Sequence, residues 1–348
     1  MNRSPLHSLH ERLGARFVDF GGWEMPVQYD SVLAEHRAVR TASGWFDVTH
    51  LGRFALTGPG AESALLGLLS NEIARITPGQ TQYTLMLNED GGIIDDLVVW
   101  WWGVDDYWVF PNAANHDRVM EAFSSEPGCE VRDLRTETVL IALQGPDGPA
   151  ILEQIFGSAP ARYKTARARL GSREVWMAGT GYTGERGGEI CVDPETASLL
   201  VERLIGAGAT PCGLAARDTL RLETGLALWG ADIDETTTPF EAGLDFAVGL
   251  EHEFVGRAAL QEQLQTGIDR LLVGFILEEK GIPRHGYRVR TANGEGHVSS
   301  GNLSPMLGTG VGLAYVSPPP SGGGSRIEVE IRGRWTRGAI ARPPFHKR

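Results

Sequence analysis

The C-terminal part of the sequence constrains the fold most. From Leu271 onward, short β-prone runs such as LLVGFIL and RIEVEI alternate with turns rich in Gly, Pro and Asn. These runs show little helical periodicity, and their spacing is typical of a small all-β unit. We therefore expect a separate β-barrel or sandwich at the C-terminus, with a boundary near residues 256–269 and a loop over residues 318–324.

The preceding part of the chain mixes helical and β-prone segments. With 348 residues, the chain is too long for one ordinary hydrophobic core, so we expect two or three domains. Apolar periodicity and capping residues predict helices over residues 30–42, 59–70, 115–124, 148–156, 196–205 and 213–228. The fold class is therefore α+β, followed by the C-terminal β unit.

The net charge and the cysteine content limit which binding partners and which cellular compartment we expect for this protein. A net charge of -12 argues against a nucleic acid or an anionic membrane as the main partner. The three cysteines, Cys129, Cys191 and Cys212, are far apart and form no zinc spacing, which favours reduced thiols in the cytoplasm. The first residues lack the apolar core of a signal peptide, and the run from Leu97 to Trp102 is too short to span a bilayer.

The segment GGIIDDLVVWWW (residues 91–102) places two adjacent carboxylates inside an apolar strand. Its period of two sends Asp96, Val98 and Trp100 to one face and Asp95 to the other. A buried carboxylate needs water, a donor or a ligand, so the face of Asp96 suits a flat ring that bears an amine. The alternative is a strand edge, where one Asp is solvated and the other caps a neighbouring backbone.

The segment AGTGYTGERGGE (residues 178–189) contains the pattern G-x-G-x-x-G. A dinucleotide-binding loop requires a strand before this pattern and a helix after it. Residues 172–178 read as a strand, but residues 189–192 read as another strand, which predicts a strand, a glycine turn and a second strand. Tyr182 lies in the turn and Glu189 begins the next strand. Glu189 can accept two parallel N–H bonds from an aminopyrimidine-like edge, or it is a surface residue.

Arg217 and Arg221 lie one turn apart on the predicted helix over residues 213–228. Together they could hold a carboxylate. The alternative is a solvated face on which they pair with Asp218 and Glu223.

The sequence lacks the common motifs of metal, phosphate and covalent chemistry. The nine histidines form neither H-x-H nor H-E-x-x-H, and no G-x-S-x-G or Walker motif is present. We therefore expect no metal and no nucleotide, and we expect chemistry that relies on positioning and on one or two carboxylates.

Taken together, these segments resemble the aminomethyltransferase, or T-protein, family of the glycine cleavage system. The resemblance covers nearly the whole chain and rests on motifs that follow the family's order: FVDFGGWEMPVQY, FDVTHLG, TQYTLMLNEDGGIIDDLVVW, PNAAN, IALQGP, GTGYTGE, GLAARDTLRLE, TPFEAGLDFAV, GIPRHGYRV and SSGNLSPMLG. It implies a three-domain cloverleaf with tetrahydrofolate in a central cavity. The implied domains are residues 1–50 with 138–250, residues 51–137, and a barrel over residues 265–348.

The resemblance also implies an activity and a set of site residues. The methylene of an aminomethyl group on the lipoyl arm of H-protein passes to tetrahydrofolate as co-substrate, which gives 5,10-methylenetetrahydrofolate, ammonia and dihydrolipoyl H-protein. The family's catalytic aspartate corresponds to Asp96. The implied folate-binding residues are Leu51, Tyr83, Asp96, Val98, Trp100, Asn112, Tyr163, Tyr182, Glu189 and Arg217.

The chain departs from the family pattern beside the pterin site. Gly179, Arg186 and Gly188 stand where the family usually has Arg, Asp and an aromatic residue, and Trp100 replaces a usual Tyr. These departures keep open a folate-dependent demethylase or methyltransferase that acts on a small N-, O- or S-methyl substrate. A non-catalytic folate-binding factor for iron–sulfur assembly is a further alternative, but the marker segment of that family, K-G-C-Y-x-G-Q-E, is absent.

Overall fold

The structure is a computed structural model that describes residues 1–320 and 325–346. Its contacts divide the chain into two compact units. The first unit comprises residues 1–68, 72–84 and 96–218, and the second comprises residues 69–71, 85–95 and the described part of 219–348. The loop predicted over residues 318–324 lies partly outside the described residues.

Helices and strands alternate along most of the described chain. The α-helices are α1 (His7–Arg12), α2 (Val32–Thr41), α3 (Ala61–Leu68), α4 (His116–Ser124), α5 (Gly148–Phe156), α6 (Pro194–Gly206), α7 (Leu214–Thr224) and α8 (Arg257–Thr266). The β-strands are β1 (Asn2–Arg3), β2 (Arg16–Phe20), β3 (Trp23–Gln28), β4 (Gly44–Asp47), β5 (Phe54–Thr57), β6 (Thr81–Leu87), β7 (Ile93–Gly103), β8 (Asp106–Phe110), β9 (Glu130–Asp133), β10 (Val139–Gln144), β11 (Thr165–Leu170), β12 (Arg173–Ala178), β13 (Gly187–Val192), β14 (Thr210–Pro211), β15 (Leu271–Leu277), β16 (Arg288–Arg290), β17 (Glu295–Leu303), β18 (Gly310–Ser317), β19 (Arg326–Ile331) and β20 (Arg334–Ile340).

The strands form three open sheets and one barrel in the described part of the chain. The open sheets have the strand orders β1-β3-β2, β11-β12-β13-β10-β4-β14 and β6-β7-β8-β5-β9, and the barrel closes in the order β15-β18-β17-β16-β19-β20. Alternate residues of the barrel strands point inward and form an apolar core that includes Phe275, Val298 and Val329. The α+β class and the C-terminal barrel are therefore confirmed.

Local capping chemistry explains where several helices begin and end. Helix α2 begins after Ser31, whose side chain accepts a hydrogen bond from the Ala34 backbone N–H, and α6 begins after Asp193, which does the same for Thr196. Helix α7 ends at Thr224 because the next residue, Gly225, has a φ of +78°, a left-handed conformation that favours glycine. The prediction that this helix continues to residue 228 is therefore wrong.

The glycine-rich segment has the predicted strand–turn–strand form. Strand β12 enters it and strand β13 leaves it, and the two strands pair in antiparallel register, with Ala178 opposite Glu189. Several elements were not expected from the sequence: the β2–β3 hairpin, helix α8 and strand β17. The implied three-domain boundaries stay a prediction.

Candidate active site

Asp96 lies on β7, where the predicted alternation of faces is visible in the burial pattern. Asp95, Leu97 and Val99 are buried, whereas Asp96 and Val98 are only half-buried. One face of the strand therefore packs into the core and the face of Asp96 stays partly open, as its period of two predicts.

Two neutral donors hold the Asp96 carboxylate. The Tyr83 hydroxyl, on β6, donates to Oδ2 at 3.0 Å. The Asn112 side-chain amide, after β8, donates to Oδ1 at 2.8 Å and to the Asp96 carbonyl oxygen at 3.0 Å. Both carboxylate oxygens thus accept hydrogen bonds, which fixes the orientation of a side chain that is still partly exposed.

Trp100 does not share the open part of this face. Its side chain is only 1% exposed and packs at 4.2 Å from Phe110 and 6.4 Å from Trp108, between ring centroids. The buried indole N–H has no hydrogen-bond partner among residues 1–320 and 325–346. The structure therefore places Trp100 in a buried aromatic cluster with Trp108 and Phe110.

Glu189, on strand β13, and Arg217, on helix α7, form a second group in the first unit. The Thr180 hydroxyl donates to Glu189 Oε2 at 2.6 Å, and the Arg217 guanidinium carbon lies 4.7 Å from the centroid of the Tyr182 ring. Burial lowers the pKa of Arg217, while the nearby Glu189 and Tyr182 oppose that shift. Among the described residues, the Arg217 guanidinium has no hydrogen-bond partner and Glu189 Oε1 accepts no hydrogen bond, so both side chains retain capacity for a ligand.

Residues 50–52 connect the two groups. The Gly52 backbone N–H donates to the Pro111 carbonyl at 3.0 Å, beside Asn112, and Leu51 is half-buried next to it. His50 is 2% exposed, and burial together with the Arg217 cation lowers its pKa to about 3. The imidazole is therefore neutral at physiological pH and adds no charge beside Arg217.

The backbone of Tyr163 also joins the two groups. Its N–H donates to the Gly179 carbonyl at 3.0 Å, and its carbonyl accepts from the Thr81 N–H at 2.9 Å, two residues before Tyr83. Its φ of +59° is uncommon for a residue with a side chain. The phenol ring itself is 53% exposed, and its only described side-chain partner is Arg162, which donates to the hydroxyl at 3.0 Å.

Arg221 does not join Arg217 in the site. In the second unit it is buried, forms an ion pair with Asp232 at 2.6 Å and donates to the Ser300 hydroxyl at 2.8 Å. Neither predicted alternative holds for Arg221: it is not open to a ligand, and its carboxylate partner is Asp232.

The sequence analysis did not predict two residues that contact the glycine turn, Gln144 and Arg40, nor the turn residue Thr183 to which both are bonded. Gln144 ends the otherwise apolar strand β10 (VLIALQ), and a buried polar residue at that position is a signal that could have found it. Arg40 carried no such signal because its partners are more than 140 residues away in sequence.

Two features are absent from residues 1–320 and 325–346: a cluster of metal ligands and a membrane-spanning helix. No group of three or more His, Cys, Asp or Glu side chains is arranged to hold a metal ion in this part of the chain. None of its helices combines the length and the apolar character that crossing a bilayer requires.

The chain is similar to known proteins along its whole length. It matches the GCVT N-terminal domain over residues 6–252 and the glycine cleavage T-protein C-terminal barrel domain over residues 270–347. An aminomethyltransferase of Rubrobacter xylanophilus is 46% identical to it, covering 100% of this chain and 95% of that protein. An aminomethyltransferase of Thermosynechococcus vestitus is 44% identical and covers 100% and 96%.

A solved structure agrees with these sequence matches. The crystal structure of glycine cleavage system aminomethyltransferase T from Bartonella henselae matches the fold with a TM-score of 0.92 and 34% sequence identity. The match covers 99% of this chain and 98% of that chain.

Proposed function

Because this chain belongs to the glycine cleavage T-protein family, we infer that it is an aminomethyltransferase, a one-carbon transferase of glycine catabolism. We propose further that it takes the methylene group from aminomethylated, lipoyl-bearing H-protein and passes it to tetrahydrofolate. One observation carries this proposal: the first unit contains both an oriented carboxylate and open ligand-binding groups. Tyr83 and Asn112 orient the Asp96 carboxylate, and Glu189 and Arg217 keep hydrogen-bonding atoms available.

The open groups fit a reduced pterin. Glu189 Oε1 can accept N–H bonds from an aminopyrimidine edge, and Arg217 can donate to the carbonyl oxygen of such a ring. The half-buried Tyr182, on which Arg217 is stacked, adds an aromatic surface beside them. Bound there, tetrahydrofolate supplies the nitrogen nucleophile that accepts the methylene.

Asp96 suits the chemical step. Loss of ammonia from an aminomethyl thioether creates positive character on the methylene carbon, shared with the sulfur, until the folate nitrogen attacks that carbon, and a fixed carboxylate stabilises such a cation. Because Tyr83 and Asn112 already orient Asp96, little rearrangement is needed when that charge develops. Asp96 can also accept a proton at one of its oxygens. Val98, two residues along the same face of β7, and Leu51, next to the Gly52–Pro111 hydrogen bond, are half-buried apolar residues that we propose line the pocket.

The three cysteines support a cytoplasmic location in this proposal. All three are free thiols, and Cys191 and Cys212 are buried. Unpaired thiols are typical of a reducing compartment.

The decisive experiment compares methylene donors. The purified protein is incubated with tetrahydrofolate and either aminomethylated H-protein or small N-, O- and S-methyl compounds. Formation of 5,10-methylenetetrahydrofolate and ammonia reports methylene transfer, and formation of 5-methyltetrahydrofolate with the demethylated donor reports methyl transfer. We expect turnover with aminomethylated H-protein and none with the small donors. Turnover with a small methyl donor alone would instead establish the demethylase alternative.

A further inference from the structure

The glycine turn between β12 and β13 is held by a buried carboxamide. Gln144, at the end of β10, is only 1% exposed. Its Oε1 accepts from the Thr183 hydroxyl at 2.7 Å, and its Nε2 donates to the Thr180 carbonyl at 3.1 Å. One side chain thus connects the two threonines that flank Gly181 and Tyr182.

A buried ion pair holds the far side of the same turn. Arg40, on α2, donates to the Thr183 carbonyl at 2.7 Å and pairs with Glu185 at 2.8 Å. The side chains of Arg40 and Glu185 are 2% and 9% exposed, so the pair is shielded from water and from salt. The turn is therefore anchored at Thr180, at Thr183 and at Glu185.

The absence of a side chain at Gly181 is a second observation that indicates a role for Gln144 in holding the turn. A Cβ placed on Gly181 would collide with the Gln144 carboxamide, with Oε1 as the nearest atom. The φ of Gly181 lies outside the left-handed region, so alanine would be acceptable to the backbone there. Glycine at this position leaves the carboxamide in contact with the turn.

The anchored residues are the ones that contact the open acidic and basic groups. Thr180 donates to Glu189, and Tyr182 lies against the Arg217 guanidinium. We propose that Gln144 is a positioning residue that sets folate affinity by holding residues 180–183 in one conformation. This proposal rests on the proposed function, since it assumes that Glu189 and Arg217 bind the pterin.

The physical reason is that a buried carboxamide is stable only with its hydrogen bonds made. The Nε2 of Gln144 also donates to the Leu143 carbonyl at 3.1 Å, so a shifted turn would leave the buried Oε1 and one of the two Nε2 hydrogens unpaired. A fully bonded buried network of this kind favours a single arrangement. Loosening it is expected to weaken ligand binding more than the chemical step, because Asp96 is held by other residues.

The test uses matched variants of Thr183, which is fully buried and whose hydroxyl donates to Gln144. Thr183→Val keeps the shape and removes the hydroxyl, whereas Thr183→Ser keeps the hydroxyl. Thr183→Val removes the bond to Gln144 and the bond that the hydroxyl accepts from the Glu185 backbone N–H at 3.2 Å. We expect it to raise the Kd for tetrahydrofolate by about three- to tenfold for each hydrogen bond that holds the turn, with kcat at saturation unchanged. Thr183→Ser should restore affinity close to that of the wild type.

Gly181→Ala would push the Gln144 carboxamide away with its added methyl group and should give the same change in Kd. This second variant provides the test if Thr183→Val fails to fold. A lower unfolding temperature with an unchanged Kd in both variants would mean a merely structural role and would overturn the proposal.

Glu189→Gln, measured in parallel, separates this proposal from the proposed function. If Glu189→Gln weakens binding and the turn variants do not, only the role of Gln144 is wrong. If Glu189→Gln and the turn variants all leave the Kd unchanged, the proposed contact between Glu189 and the pterin is wrong. The proposal that Gln144 sets folate affinity is then wrong as well. Hydrogen exchange of the amides of residues 180–185 in the free protein then decides whether Gln144 holds the turn: exchange faster in Thr183→Val than in Thr183→Ser supports it, and equal exchange refutes it.

Discussion

Asp96 and Glu189 are both half-buried carboxylates on β-strands of the first unit, yet their surroundings differ. Both oxygens of Asp96 accept hydrogen bonds from neutral donors, Tyr83 and Asn112. Glu189 receives one hydrogen bond, from Thr180, and shares its surroundings with the cation of Arg217. A carboxylate held by neutral donors keeps its charge available for a transient cation, whereas a carboxylate with an open oxygen beside a cation suits binding of a ligand with both donors and acceptors.

The largest effect in this comparison is expected from Asp96→Asn. The change keeps the shape of the side chain and removes the charge that, in our proposal, stabilises the developing cation. Turnover at saturating tetrahydrofolate should fall by about 10²–10⁴-fold, while the fold and the folate affinity are retained. Single-turnover kinetics with aminomethylated H-protein measure this, and wild-type turnover in the variant would remove Asp96 from the chemical step.

Arg217→Met should affect binding instead. Loss of a hydrogen bond from a charged group is expected to raise the Kd for tetrahydrofolate about 10- to 100-fold, or about 1.5–3 kcal/mol, with a smaller change in kcat. Titration calorimetry measures the Kd. Arg203→Met, on the exposed face of α6, is the matched control and should bind like the wild type. An unchanged Kd in Arg217→Met would mean that this guanidinium contacts no folate.

The pH dependence of stability tests the neutral state of His50 beside Arg217. Its pKa of about 3 in the folded protein is below the ordinary value of 6.5, because of burial first and then of Arg217. Between these two values the unfolded chain binds more protons, so stability is lost as the pH falls below about 6.5. His50→Gln should remove about 1–2 kcal/mol of the stability difference between pH 6.5 and pH 5, measured by urea unfolding.

The control for this experiment is His297→Gln, because His297 is exposed on the barrel. This variant should keep the wild-type pH dependence. An equal pH dependence in His50→Gln and the wild type would show that His50 is not held neutral by its surroundings.

The smallest effect is expected from Tyr83→Phe. It removes one of the donors to Asp96 and leaves Asn112 in place. Turnover should fall about two- to tenfold, the effect of one hydrogen bond of ~0.5–1.5 kcal/mol, with the folate Kd unchanged. Steady-state kinetics and calorimetry on the same preparation separate the two quantities. A larger change in Kd than in turnover would assign Tyr83 to binding.

Features with a strong local signal could be predicted from the sequence. The alternation along β7 predicted that Asp96 and Val98 share the more open face, and turn residues predicted the barrel and the strand–turn–strand form around Tyr182. The alternation failed at Trp100 because aromatic neighbours on β8 bury the ring. Strand β17 (EGHVSSGNL) has a composition with low β-propensity, and its pairing with β16 and β18 defines it.

Features that depend on distant partners could not be predicted. Nothing near Arg217 and Arg221 in the sequence distinguishes the two, since their roles depend on Glu189 and Asp232. Likewise, IALQGP marks a family motif, but the role of Gln144 depends on a turn 36 residues later. The resemblance to a family supplied the site residues, and their contacts came from the structure.

The most direct test of this division between chemistry and binding makes the same change at both carboxylates. Tetrahydrofolate binding to Asp96→Asn and to Glu189→Gln is measured side by side by titration calorimetry. We predict a wild-type Kd for Asp96→Asn and a clearly weaker one for Glu189→Gln. Equal loss of affinity in the two variants, or a loss confined to Asp96→Asn, would contradict the account.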